Sequence, residues 1–209
     1  KLYRKSIELD PNSPQYREYL GEYLYALDRQ DEAITVWKSI ASEDRRGRES
    51  LVRLAEIYGT FKRPALALGA WKDASEFDLT FAQELRYAVK LTEAKQYSDA
   101  LQRLDRAEQV AETPDEREQL LKDRIVVYQT SGTLGEQIAN VSKQPESIES
   151  LRKLALMYGA FGDLVSAERS IRKAVVDDPE NTQVLLVAAD IAERQNRIGA
   201  AADLFGKLA

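Results

Sequence analysis

The chain has 209 residues, 35 of them Asp or Glu against 30 Lys or Arg, for a net charge of −5, and it contains neither cysteine nor histidine. Those absences remove disulfides, thiolate nucleophiles and thiolate metal sites, together with the commonest general base and metal ligand. Carboxylate chemistry alone stays open to catalysis, while the negative balance argues against a phosphate-tracking surface, since nucleic-acid binders carry a basic stripe.

In chain order the first predicted helix runs from Leu2 to Leu9 and stops at Asp10-Pro11-Asn12, because proline cannot continue a helix and disfavours it for the residue before. Six helix pairs follow, starting near Ser13, Gly47, Thr80, Thr113, Ser147 and Asn181, so thirteen helices are expected in all. Ser13-Pro14 and Thr113-Pro114-Asp115-Glu116 each offer a hydroxyl N-cap before a proline at the first helical position, and the second adds the glutamate of a capping box. Asp178-Pro179-Glu180-Asn181 ends the eleventh helix. The runs Ile125-Val126-Val127-Tyr128 and Val184-Leu185-Leu186-Val187 favour strand locally, yet each continues a longer helical pattern and is assigned to helix.

The pairs repeat one another. Glu49 to Phe61 and Glu149 to Phe161 are near-copies 100 residues apart, and Ala33, Ala67, Ala100, Ala167 and Ala201 fall at steps of 34, 33, 67 and 34. Leu51, Leu54, Ala55 and Tyr58 make one amphipathic stripe, small Ala55 and Ala67 allow two antiparallel helices to approach, and Tyr58 and Trp71 fill the space between layers. Each pair is left with one apolar face for its neighbour, so the units must stack.

Leu51-x2-Leu54-Ala55-x2-Tyr58 followed by Ala67-x3-Trp71-x2-Ala74, and Leu151-x2-Leu154-Ala155-x2-Tyr158 followed by Ala167-x3-Ile171-x2-Ala174 and Pro179, resemble the tetratricopeptide repeat. The resemblance extends to Leu20-Gly21-x2-Leu24 with Ala33-x3-Trp37, to Tyr87-Ala88-x2-Leu91 with Ala100-x3-Leu104, and to Ala188-Ala189-x2-Ala192 with Ala201-x3-Phe205. It implies an all-α, right-handed solenoid of antiparallel helix pairs: a single array, with 1–12 as the second helix of a truncated repeat and repeats at 13–46, 47–79, 80–112, 113–146, 147–180 and 181–209. The unit at 113–146 lacks the marker alanine and is the degenerate one; Arg17 and Glu84 stand in the first large slot of their units. Both ends cut into a repeat, so a longer parent array is expected, in a soluble setting of the bacterial periplasm or cytoplasm.

In this family the first helix of each pair lines the concave face. The candidate groove is therefore Glu18, Tyr19, Glu22 and Tyr25; Val52, Arg53 and Glu56; Leu85, Arg86 and Val89; Lys122 and Asp123; Arg152, Lys153 and Leu156; Leu186 and Asp190. Its amino-terminal part reads as acidic and tyrosine-bearing, its later part as more basic. Trp37, Trp71, Tyr58, Tyr128 and Tyr158 read as core, whereas Tyr19 and Tyr25 stand between core and groove. The carboxylate clamp that binds chaperone tails is missing, since its positions hold Glu18 and Glu22, Arg53 and Glu56, and Ala82 and Arg86. Asp177, Asp178 and Glu180 form an ordinary acidic helix end without calcium-loop spacing, so no metal and no cofactor is expected. The expected function is non-catalytic: a scaffold for a partner protein or extended peptide within a bacterial assembly or secretion machine. The alternatives are a carbohydrate- or polymer-handling surface of an exopolysaccharide export system, and an interaction module attached to an enzyme domain outside this chain.

Overall fold

A computed structural model describes residues 2–207, and among the described residues every regular element is helical. The α helices are α1 (Leu2–Leu9), α2 (Pro14–Ala26), α3 (Gln30–Lys38), α4 (Arg48–Thr60), α5 (Pro64–Ala74), α6 (Phe81–Glu93), α7 (Tyr97–Val110), α8 (Pro114–Ser131), α9 (Leu134–Val141), α10 (Ile148–Phe161), α11 (Leu164–Asp177), α12 (Thr182–Arg194) and α13 (Ile198–Gly206). Two short 3-10 turns, Ser39–Ala41 and Glu43–Arg45, join α3 to α4. The chain divides into two compact units between Glu112 and Thr113, one holding α1 to α7 and the other α8 to α13.

The starts follow the sequence signals. Thr80 and Thr113 accept from the backbone N–H of Gln83 and Glu116, whose side chains return the bond to the cap N–H at 3.0 Å in each case. Ser147 and Ser150 close a box of the same form, and Asn181 accepts from the Val184 N–H. Ser13 differs from expectation: it occupies the N-cap without a side-chain bond, leaving Pro14 to set the helix entry. Within each pair the turn between helices uses one left-handed residue: Asp28, Lys62, Lys95, Gly132, Gly162 and Asn196. Such a residue lets the chain reverse within a few positions, at a strain cost that glycine alone escapes.

Packing follows from small residues placed where two helices meet. The marker alanines Ala33, Ala67, Ala100, Ala167 and Ala201 are all buried. On the facing helices Gly21, Ala55, Ala88, Ala155 and Ala189 stand eight residues after their N-caps, and all five are buried as well. In the first unit Trp37 is fully buried, 4.6 Å from Phe61 and 5.7 Å from Tyr25 between ring centroids, with its indole N–H donating to the Glu18 carbonyl. Trp71 stacks on Tyr87 at 5.8 Å. Both tryptophans are thus core, and truncating Trp37 to alanine costs about 3–5 kcal/mol on general grounds.

In the second unit Leu151, Ala155, Ala167, Ile171, Val184, Val187 and Ile191 form one apolar cluster. Ile125, Leu134, Ile138, Val141 and Met157 form another, with Tyr128 and Tyr158 half-buried against it. Leucines occupy both close-approach positions of the α8/α9 pair, Leu121 and Leu134, so those two helices pack less closely than the other pairs. Short as it is, α9 still buries Leu134, Ile138 and Val141 on one face. Among the described residues no helix is long and apolar enough to cross a membrane.

Candidate partner-binding clefts

In the first unit the first helices of three successive pairs, α2, α4 and α6, line a cleft of about 490 Å³. It gathers the expected groove residues Glu18, Glu22, Val52, Arg53, Glu56 and Arg86, and adds Glu49, Ile57, Thr60, Phe61 and Gln83. Val52 and Ile57 form part of its apolar floor and are buried, while Glu56 and Arg86 stand exposed at its rim.

Its charges are largely paired across the repeats. Arg53 grips Glu18 from the first helix of the next pair at 2.6 Å, and Arg86 pairs with Glu56 in the same sense. Among the described residues Glu22 has no such arginine; burial, and then the neighbouring Glu18, raise its pKa above the ordinary carboxylate value. A cation arriving beside Glu22 would relieve both penalties. Ion pairs open to solvent to this degree contribute little net stability, and their main effect is to hold long side chains in register along the cleft.

Other expected groove residues lie elsewhere in this unit. Tyr25 is drawn into the layer between pairs, its ring 4.8 Å from Phe61 and its hydroxyl donating to the Phe61 carbonyl. Tyr19 is exposed on the side of α1, where it and Tyr23 each lie 6.3 Å from Tyr3. Leu85 is half-buried and Val89 exposed on α6, and neither lines the cleft.

In the second unit Arg152 of α10 is buried and reaches back to Glu118 of α8, which Lys122 also approaches at 3.6 Å. Glu118 was not among the expected residues, although it lies 100 residues after Glu18 and repeats its role. Asp123 accepts from the Gln119 amide, and burial raises its pKa despite that bond. Leu156 joins both apolar clusters, Lys153 is half-buried, and Leu186 and Asp190 are exposed on α12. Asp190 lies 3.8 Å from Arg194, which also donates to the Gly159 carbonyl of α10.

Two buried polar side chains occupy core slots. Glu84 on α6 is 3.7 Å from Arg103 of α7, whose guanidinium lies over the Tyr87 ring. Burial outweighs the arginines and raises its pKa. Arg17 on α2 occupies the slot held elsewhere by Leu51, Leu151 and Leu185. Among the described residues no cluster of three or more acidic side chains is placed to hold a metal ion.

No protein-family model and no curated protein matches the chain. Solved structures do. YrrB, a TPR protein with an unusual peptide-binding site, is similar over 88% of this chain and 96% of its own, with a TM-score of 0.50 at 14% identity. A tetratricopeptide repeat protein from Parabacteroides merdae is similar over 98% of this chain and 82% of its own, with a TM-score of 0.51 at 18% identity. With its repeated caps, close-approach alanines and paired antiparallel helices, the chain has the tetratricopeptide-repeat fold.

Proposed function

We propose that the chain is a non-catalytic scaffold that holds a partner protein, through an extended segment, along its first helices. The observation that carries this reading is the cleft lined jointly by α2, α4 and α6, with an apolar floor at Val52 and Ile57 and a rim of ordered charge. A space shaped by three repeats fits an extended chain, whose backbone can run across successive helices. The similarity to a repeat protein with a peptide-binding site supports the same ligand class. The partner segment carries a lysine or arginine that meets Glu22, the cleft glutamate without an arginine of its own. The setting we infer is a bacterial assembly or secretion machine, with which the cysteine-free, degenerate repeats are compatible.

A photo-crosslinking residue at Thr60, inside the cleft, and one at Thr35, on the exposed face of α3, test the reading. A partner adduct from the Thr60 position and none from Thr35 is the expected result. Equal yields from both, or adducts from Thr35 alone, would move the interface off the first helices.

A further inference from the structure

A second cleft, of about 780 Å³, opens at the amino-terminal end of α4 in the same unit. Four arginines line it: Arg17, Arg45, Arg48 and Arg53. Three are compensated, Arg45 by Asp44 at 2.8 Å, Arg48 by Glu49 at 2.8 Å and Arg53 by Glu18. Arg17 is not. It is only 6% exposed, and its guanidinium donates to the Ser13 carbonyl at 3.1 Å without an ion pair to any described carboxylate. Burial, then the like charge of Arg45, lower its pKa against the weaker pull of Asp44 and Asp10. The Arg45 Nε is buried and lacks a hydrogen-bond partner among the described residues.

Packing does not require a cation here, because Leu51, Leu151 and Leu185 fill the equivalent slot in other repeats and are equally buried. An uncompensated buried charge is strongly unfavourable, so an arginine in a leucine slot at the wall of an open cleft calls for an anion from outside. From this arrangement we infer that the Arg17 cleft is a subsite for a carboxylate, supplied by an acidic side chain of the partner segment. The source of that carboxylate rests on the peptide-scaffold reading above. The two clefts share Glu49 and Arg53, so one extended segment can place a basic residue beside Glu22 and an acidic one beside Arg17. A monoanion fits better than a phosphate: one of the four arginines is uncompensated, and Glu49 and Asp78 at the wall oppose a dianion.

The test is NMR of the arginine Nε–Hε resonances in the whole chain, titrated separately with capped hexaglutamate, capped hexaglutamine and inorganic phosphate. Saturable shifts at Arg17 and Arg45 with hexaglutamate, and none with the other two, are expected. Arg17→Leu keeps the slot filled as other repeats fill it, and should weaken hexaglutamate binding about tenfold or more with the helical signal intact. Arg45→Gln, in the 3-10 turn before α4, should weaken it as well. Equal shifts with hexaglutamine, tighter binding of phosphate, or unchanged affinity in both variants would overturn the assignment. Amide shifts at Thr60 and Gln83 report the neighbouring cleft separately. Movement at Arg17 without movement there supports the subsite and tells against the groove, and the reverse pattern overturns the subsite alone.

Discussion

At Gly21 the backbone of α2 runs against the indole of Trp37 so closely that an added Cβ would lie 2.1 Å from the indole nitrogen. A rigid, fully buried ring cannot step aside cheaply, so Gly21→Ala should cost about 1–3 kcal/mol, although alanine is the better helix former. Gly59, near the end of α4, has open space around its Cα. There Gly59→Ala should stabilise by about 0.5–1 kcal/mol through helix propensity. Urea unfolding of both variants checks the pair, and a mild Gly21→Ala would mean that Trp37 is not held where it stands. Glu84 gives a pH-dependent case. Its pKa is raised by folding, so as pH climbs through the ordinary glutamate range the unfolded chain loses its proton first, and the folded state loses stability relative to it. Glu84→Gln removes that titration. The variant should therefore gain on wild type as pH rises above the ordinary glutamate value, the gain being complete once pH passes the raised one. A stability difference that stays flat over this range would show that Arg103 compensates the carboxylate fully.

Helix pairs were the most legible level of the sequence, because close approach demands small residues at fixed spacing and a 33- or 34-residue step repeats the demand. Placing leucine at a marker tests that reading. Ala67→Leu should overpack α4 against α5 and cost about 1–3 kcal/mol, while a change at exposed Gln102 should cost little; thermal melts of equal mildness would make the register wrong. The fourth pair shows how the chain accommodates the larger residue. With Leu121 and Leu134 in both close-approach positions, α8 and α9 stand off from each other, and α9 has 8 residues where α11 has 14. Fewer backbone bonds and looser pairing favour local opening, so amide exchange should be faster in 132–146 than in the matching 162–176. Slower exchange in 132–146 would mean that Leu134, Ile138 and Val141 anchor α9 more firmly than its length suggests. Three buried residues on one face are enough to seat its two turns.

Across the whole molecule the groove was legible as a set of faces and not as a set of charges. Counting single residues made the amino-terminal end acidic, yet Glu18 and Glu56 are claimed by Arg53 and Arg86, and Glu118 by Arg152, partners that lie 30 to 35 residues away in sequence. Pairs at repeat distance are invisible to helical-spacing rules, which compare neighbours one turn apart. The same blindness placed Tyr25 beside the groove, when its ring is taken by Phe61 of the next pair. Pairing changes which substitutions report on binding. Glu18→Lys would set a like charge against Arg53 and disturb the fold locally, so a lost interaction there has two explanations. Glu22→Lys breaks no ion pair among the described residues and reverses the charge that a basic partner residue would meet. Long-range attraction is screened beyond about 10 Å at 0.1 M salt, and it governs association more than dissociation. Stopped-flow binding of the captured partner should therefore show a slower association rate for Glu22→Lys with weaker salt dependence, while the dissociation rate changes less and the helical signal stays intact. A Glu22→Lys protein that associates at the wild-type rate at low salt would place the basic residue of the partner away from α2, and with it the interface from this cleft.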